Sequence, residues 1–440
     1  MESNTSQQQL KKTIGTPQAV ALYIGAVIGS GVLIVPGLAA EMAGPASLLA
    51  WGFMTLLILP MALSMGLLSA KYPNAGGVSH FVTLAFGPRA GAVVGWFFLM
   101  SVPIGAPVAA LTGAGYLTAA LGWGEHARIV IASLILVCGL LVNWFGMKLA
   151  GSIQIAVVIA IAAVLLFAFA VSVPQIEAVH FTPFMPHGWL SIGQAAAILF
   201  WCFIGWEAVS HMSEEFKNPQ RAAVRGVMIA AAIVGLLYFL SALAVVGTGS
   251  YLAGADTALV HLISAPLGHL GALIVGVVGI FICTATIIAY AGAASRVAYA
   301  LAREGHAPAW MSRVSGTYHS PVGGLLFLGA SFVVIMTLYG TRLVSLTTLI
   351  QLPNAAFILT YLCGCAAGIR LLKAERRALV VSWISFISTA VVFPFTGWAM
   401  LYPCAILVAC WAAGLLRQEK SGRICNRAPL SDQPPVGKKA

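Results

Sequence analysis

Apolar runs of about 20 residues, each long enough to cross a hydrocarbon core of about 30 Å, follow one another along nearly the whole chain, with short polar connections between them. No other feature limits the fold as strongly. In lipid every backbone N–H and C=O must be satisfied internally, and long continuous apolar runs meet that demand as helices. Composition agrees. Of 440 residues, 60% are hydrophobic and 8% charged, and the mean hydropathy is +0.95. Soluble domains carry about 25% charged residues, which excludes a soluble enzyme, a disordered chain and a nucleic-acid-binding protein. The chain reads as an all-α membrane protein.

About twelve spans fit this scale, at about 15–41, 48–70, 90–119, 127–147, 150–172, 191–213, 222–247, 270–302, 322–340, 343–371, 379–398 and 400–417. Met1 to Lys12 is polar and reads as a cytoplasmic tail (1–14), not as a signal peptide. The basic segment 418–440 reads as a second cytoplasmic tail. With the N-terminus inside, loops alternate in side, and of the 23 Lys+Arg only Arg128 and Arg342 fall outside. The positive-inside rule therefore expects a multi-pass protein of the bacterial inner membrane with both termini cytoplasmic. The net charge of +11 follows from this topology and not from an acidic partner. The 8 cysteines include no CxxC pair and read as small buried hydrophobes. His126, His180, His187, His261 and His269 sit near outer loops without metal-ligand spacing, so no metal is expected.

Transporter sites form where membrane helices unwind near mid-membrane. Span 1 holds Gly25-Ala26-Val27-Ile28-Gly29-Ser30-Gly31-Val32, with Pro36 beyond. Glycines there permit a break whose second half would begin near Gly31, its N–H groups and positive dipole end facing a carboxylate. The same residues also read as a small-residue strip for close helix packing. Spacing alone leaves both open. Span 6, five spans later, offers Phe200-Trp201-Cys202-Phe203-Ile204-Gly205-Trp206-Glu207. An acid at membrane depth is expensive and points to function. Burial disfavours its charged form, which would let Glu207 take up a proton near physiological pH. The alternative is a structural hydrogen bond from a protonated Glu207. Glu41 lies at the outer end of span 1, where water can solvate it. After span 2, Tyr72-Pro73 and Gly76-Gly77 read as a turn entering an amphipathic half-helix. After span 6, Glu214 and Glu215 beside Lys217 and Arg221 read as an ionic gate or as ordinary loop charge.

At these residues the chain resembles the amino acid–polyamine–organocation transporter superfamily. The motifs are Ile28-Gly29-Ser30-Gly31, Tyr72-Pro73 with Gly76-Gly77, Asn143 with Gly146, Glu214-Glu215 with Asn218-Pro219 and Arg221, and Arg296 with Ala302-Arg303, Gly305 and Pro308, all in order and on the expected sides. Within the superfamily it looks most like the bacterial methionine and branched-chain amino acid exporter group, on Ala75-Gly76-Gly77-Val78-Ser79-His80-Phe81-Val82 and Phe200 to Gly205. The resemblance implies two inverted five-helix repeats, 15–172 and 191–371, with helices 11 and 12 (379–417) added, helices 1 and 6 broken, and alternating access. It implies that Ser30, Gly31 and Val32 bind a substrate carboxylate. Carbonyls of Ile28, Trp201 and Ile204 would bind the α-ammonium, with Gly29 and Gly205 at the breaks. Trp201 and Tyr290 fall on aromatic gate positions, and Glu207 on a glutamate linked to pH sensing in the arginine/agmatine exchanger of this superfamily. Where many proton-coupled members carry a lysine in span 5, this chain has Ile161, which leaves Glu207 as the proton-coupling candidate. Thr284 and Thr286 could offer oxygens to sodium, but hydroxyls in membrane helices more often bond their own backbone. Leu352-Pro353-Asn354 in span 10 frees a carbonyl and sets a polar group at depth, so Asn354 is a lining candidate.

The resulting expectation is a secondary transporter of neutral apolar amino acids, with efflux favoured over import or exchange and an amine or cationic substrate less favoured. No cofactor is expected. The expected partners are a small neutral amino acid and the lipid bilayer, with no nucleic acid, and a homodimer is admitted. A channel would need a continuous polar lining, which these spans lack. A membrane enzyme would need paired catalytic groups, and Glu207 with His211 is the one pair at i,i+4.

Overall fold

The computed structural model describes residues 15–73, 77–145, 150–206, 218–318 and 320–412. Its helices are α1 (Thr16–Val27), α2 (Gly31–Ala43), α3 (Ser47–Lys71), α4 (Gly77–Phe86), α5 (Pro88–Leu121), α6 (Glu125–Trp144), α7 (Ala150–Ser172), α8 (Gly188–Leu199), α9 (Pro219–Thr248), α10 (Ala258–Arg303), α11 (Val322–Gly340), α12 (Leu346–Leu371), α13 (Arg376–Val392) and α14 (401–412). The all-α membrane reading holds.

Among the described residues, 9 helical runs are long and apolar enough to cross a membrane. The difference from twelve has a local cause at each place. α2 runs on through a 3-10 turn at Gly44–Ala46 into α3, so parts of two spans count as one. α13 continues through Phe393–Met400 into α14 in the same way. α8 is too short alone, and its continuation at 207–217 lies outside the described residues. The run α10 begins at Ala258, but Gly268 (φ 61), two residues after Pro266, is non-helical and divides it, so its longer second part begins beside the expected start at 270.

Contacts between loops sort them into two ends. At one end Arg128 meets Asp256, Tyr339 meets Glu125, and Glu177 N–H meets the Gly247 carbonyl. A cleft of about 660 Å³ at this end is lined by Gly122 to Ala127 together with Arg342. At the other end Lys71 pairs with Glu375 at 3.0 Å, Trp96 Nε1 donates to the His306 carbonyl, and Ser320 donates to the Trp144 carbonyl. The two basic residues singled out by the charge count thus share one end, which we call the Arg128 end, opposite the Lys71 end.

The helices pack as two groups. α5, α6, α10 and α11 form one, with α4 against α5; α1, α2, α3, α8 and α9 form the other, with α13 against α3; α7 and α12 touch both. Small residues bring the backbones close, since lipid-embedded helices associate through packing more than through the hydrophobic effect. A Cβ on Gly276 of α10 would lie 2.9 Å from Leu117 Cα of α5, and one on Gly113 would lie 2.9 Å from Cys283 Cβ. Of the turn expected after span 2, residues 74–76 lie outside the described residues; α4 follows from Gly77, and its buried face is Val78, Phe81, Val82 and Ala85. Gly77 begins it at φ 57, and Pro88 opens α5 directly after Gly87 at φ 97. Glu41 is exposed, as its place at a helix end implies.

Candidate substrate site

α1 stops at Val27 because Ile28 turns extended (φ −75, ψ 99), and the helix resumes at Gly31. Ile28 N–H closes α1 on the Ile24 carbonyl at 2.8 Å, and Leu33 N–H reaches back to the Ser30 carbonyl at 3.2 Å. Between them, the N–H groups of Gly29, Ser30, Gly31 and Val32 have no acceptor among the described residues. They are the unsatisfied first turn of α2, where partial positive charge collects. Tyrosines of other helices hold the surrounding carbonyls. Tyr238 of α9 donates to the Val27 carbonyl at 3.1 Å, and Tyr116 of α5 donates to the Leu33 carbonyl.

The second break is built differently. α8 tightens into a 3-10 turn at Phe200–Phe203, Ile204 is extended (φ −81, ψ 147), and Gly205 adopts φ 125. A Cβ on Gly205 would collide with the Ala26 carbonyl oxygen and lie 3.1 Å from Val27 Cα. Both the angle and the space therefore demand glycine. Gly205 N–H donates to Tyr361 Oη of α12 at 3.1 Å. Gly31 closes the junction from the other side: a Cβ there would lie 3.0 Å from Trp201 Cδ1 and 3.2 Å from Cys202 Sγ. The two readings that spacing left open at span 1 both hold, since the helix breaks and its small residues also pack face to face.

The chain is similar along nearly its full length to known permeases. The family model described as "Amino acid permease" matches residues 14–413. The chain belongs to the amino acid permease family. Relatives include an uncharacterized amino acid permease, YecA, of Bacillus subtilis (38% identical over 402 residues; 91% of this chain and 95% of the relative). The L-methionine/branched-chain amino acid exporter YjeH of Escherichia coli is 33% identical over 412 residues, covering 91% and 96%. The branched-chain amino acid permease BcaP of Bacillus subtilis is 25% identical over 398 residues, covering 85% and 83%. The superfamily resemblance read from the motifs is thus confirmed, and the protein is an amino acid permease and not an enzyme.

In this permease Trp201 is half-buried and spans from Gly31 to Gly105 of α5, where a Cβ would lie 2.8 Å from the indole Cη2. Its ring meets Phe357 edge-on at 6.4 Å, Phe357 meets Phe98 at 6.0 Å, and Phe98 stacks on Tyr290 at 6.3 Å. The two expected aromatic positions, Trp201 and Tyr290, are therefore ends of one aromatic row. Phe98 and Phe357 were missed from sequence. Their signal was helical spacing: Phe98 lies two turns before Gly105, and Phe357 one turn after Asn354, on the same helix faces.

Ile28, Ser30, Val32 and Ile204 are buried around the breaks. Gly29 faces Thr286, whose Oγ1 would lie 3.2 Å from a Cβ on it. Thr284 and Thr286 spend their hydroxyls on the Ile280 and Ile282 carbonyls of their own helix, at 2.7 and 3.0 Å. Asn354 is 2% exposed and donates through Nδ2 to the Ala197 carbonyl, tying α12 to α8. Its Oδ1 has no partner among the described residues. Ile161 is buried. Glu207 lies outside the described residues, as do His211, Glu214, Glu215 and Lys217.

Two motif residues acquire plain structural roles. Asn143 Nδ2 bridges the Gly139 carbonyl of α6 and the Ile288 carbonyl of α10, both at 2.9 Å. Gly305 (φ 75) ends α10, with His306 N–H returning to the Leu301 carbonyl at 2.7 Å, the pattern by which left-handed glycine caps a helix. Among the described residues no three His, Cys, Asp or Glu side chains group as metal ligands.

Proposed function

We propose that this permease is a secondary active transporter of neutral, apolar L-amino acids that works by alternating access, with methionine, leucine, isoleucine and valine as its substrate class and efflux as its direction. The observation that carries the reading is the pair of touching helix breaks. Four N–H groups at Gly29 to Val32, unpartnered among the described residues, suit a carboxylate. Carbonyls at Ile28, Trp201 and Ile204, where helical bonding lapses, suit an α-ammonium. The row Trp201–Phe357–Phe98–Tyr290 offers apolar area for the side chain. Among the described residues no acidic side chain joins this set, and burying an unpaired cationic side chain there would be costly. That weighs against cationic substrates. The similarity to an L-methionine/branched-chain amino acid exporter supports both substrate class and direction.

Glu207 is the proton carrier in this proposal, since an intramembrane acid is otherwise an expense without return. Sodium is disfavoured by the internal bonding of Thr284 and Thr286. The Lys71 end, richer in basic residues, is the cytoplasmic end, and the Arg128 end faces outside.

The test is counterflow in proteoliposomes preloaded with unlabelled amino acid and challenged with labelled methionine or leucine, with and without a pH gradient. Neutral amino acids should stimulate uptake, and cationic ones should not. Glu207→Gln should flatten the pH dependence. Absence of counterflow with every neutral amino acid, from folded protein, would sink the substrate class.

A further inference from the structure

At the Arg128 end, the segment between α9 and α10 lies across α2. Its 3-10 turn, Ala255–Thr257, rests on the helix backbone to backbone. A Cβ on Gly37 would collide with the Ala255 carbonyl oxygen and lie 2.8 Å from its carbon. This segment is the covalent link between the two helix groups at that end, because α9 belongs with α2 and α10 with α5 and α6.

Asp256, inside that turn, is gripped from α6. Arg128 is 9% exposed, although most side chains of its helix face outward. Its Nη1 lies 3.0 Å from Asp256 Oδ2 and 3.6 Å from Glu125 Oε2. Its Nε donates to the Leu111 carbonyl of α5 at 3.0 Å, and a Cβ on Gly115 would lie 2.9 Å from the same Nε. Glu125 is held in turn by Tyr339 of α11, whose hydroxyl donates at 2.6 Å. α5, α6 and α11 therefore orient one guanidinium, and its partner on the connecting segment is Asp256. Nη2 has no partner among the described residues.

We propose that the Arg128–Asp256 ion pair is the latch of this end: it holds residues 249–257 down on α2, and it must part before the site can open toward the Arg128 end. The inference rests on the alternating-access reading above. If α2 moves against the α5–α6–α10–α11 group, the turn lying on its backbone must lift, and the pair adds to the chain's own continuity with α10 a side-chain tie from that turn to α6. Asp256 keeps 34% of its side chain exposed. Water can therefore take it up as the pair parts, which makes the tie reversible in a way that a fully buried pair is not.

Cys202 reports on this directly. It is buried between the two breaks, whereas Cys283 is buried within the α5–α10 contact. In proteoliposomes of uniform orientation, a membrane-impermeant maleimide added at the Arg128 face is followed by mass spectrometry of both peptides. Two variants approach the latch independently. Asp256→Asn removes the charge and keeps the size; Gly37→Ala wedges the turn off α2 without touching the pair. We expect Cys202 labelling to rise about tenfold in Asp256→Asn, a shift between the worth of an exposed and of a buried ion pair, and to rise in Gly37→Ala through the displaced turn, with Cys283 unlabelled. Unchanged Cys202 labelling in Asp256→Asn overturns the proposal, whatever Gly37→Ala does, because packing alone would then hold the turn. Equal gains at Cys202 and Cys283 also overturn it, since they report general loosening. The labelling needs no substrate. A latch that responds in protein showing no counterflow would therefore separate failure of the substrate class from failure of the latch.

Discussion

The two helix breaks meet the same requirement by different means. At the first, Ile28 turns extended, Ser30 is already back at helical angles, and a full helix restarts at Gly31, with the N–H groups of Gly29 to Val32 unpartnered among the described residues. At the second, the helix narrows to a 3-10 turn and then passes an extended Ile204 into a glycine at φ 125. In the proposed site the first break offers the donors, and carbonyls of both breaks, at Ile28, Trp201 and Ile204, offer the acceptors. The first depends on bare backbone for space, with Gly31 against Trp201 and Cys202. The second depends on bare backbone for both space and angle. A zwitterion needs both kinds of group, and the contact of Gly205 with Ala26 and Val27 brings them together.

That contrast can be tested by substitution, and the largest effect belongs to the second break. Gly205→Ala adds a Cβ against the Ala26 carbonyl and strains a left-handed backbone. It should abolish counterflow and reduce the yield of monodisperse protein on gel filtration. Wild-type flux would mean that the two breaks need not touch. Gly31→Val comes next. It should abolish transport but leave membrane insertion and elution profile intact, because its side chain meets a movable indole and a thiol as well as backbone. Flux at the wild-type rate would remove the first turn of α2 from the site.

Tyr238→Phe tests what holds the first break open. It leaves the Val27 carbonyl unpartnered in a buried position, at a cost of about 1–3 kcal/mol. The melting temperature should fall, with more loss than Ser331→Ala, whose hydroxyl bonds only its own helix. Equal melting would show that the carbonyl finds another donor. Trp201→Ala and Phe357→Ala interrupt the aromatic row. An edge contact is worth about 0.5–1.5 kcal/mol, so the half-saturation concentration for leucine should rise up to about tenfold, and that for alanine less. Equal shifts for both amino acids would place the row outside the side-chain pocket. The smallest effect is expected from Thr286→Val, which should leave flux without any sodium dependence. A sodium response lost in that variant would revive the reading in which Thr286 binds the ion.

Much of this architecture was legible residue by residue. Apolar run length placed the spans to within a few residues over most of the chain, because the bilayer sets a single length. The paired glycines at 29 and 31 marked the first break, and Pro73 with Gly77 marked the entry to α4. Less legible were features that look alike locally but differ in context. Ala258 to Leu267 falls between the expected spans 222–247 and 270–302, yet it is helical up to the break at Gly268. Asn354 reads as a polar lining group, and its amide is spent on the Ala197 carbonyl. Thr286, by contrast, follows the expectation that a membrane-helix hydroxyl bonds its own backbone, donating to the Ile282 carbonyl.

By itself the sequence determined the membrane setting, the alternation of loops between two ends, and where the chain could break. These depend on composition, run length and backbone freedom, which are properties of neighbouring residues. Only the tertiary structure decided that Gly205 lies against Ala26, that Trp201 and Tyr290 end one aromatic row through Phe98 and Phe357, and that Arg128 reaches Asp256. Each of these joins residues far apart in the chain, on helices whose rotation about their own axes is set by packing. Periodicity tells which residues share a face. Which face meets which is settled when small residues let backbones approach and large ones fill what is left.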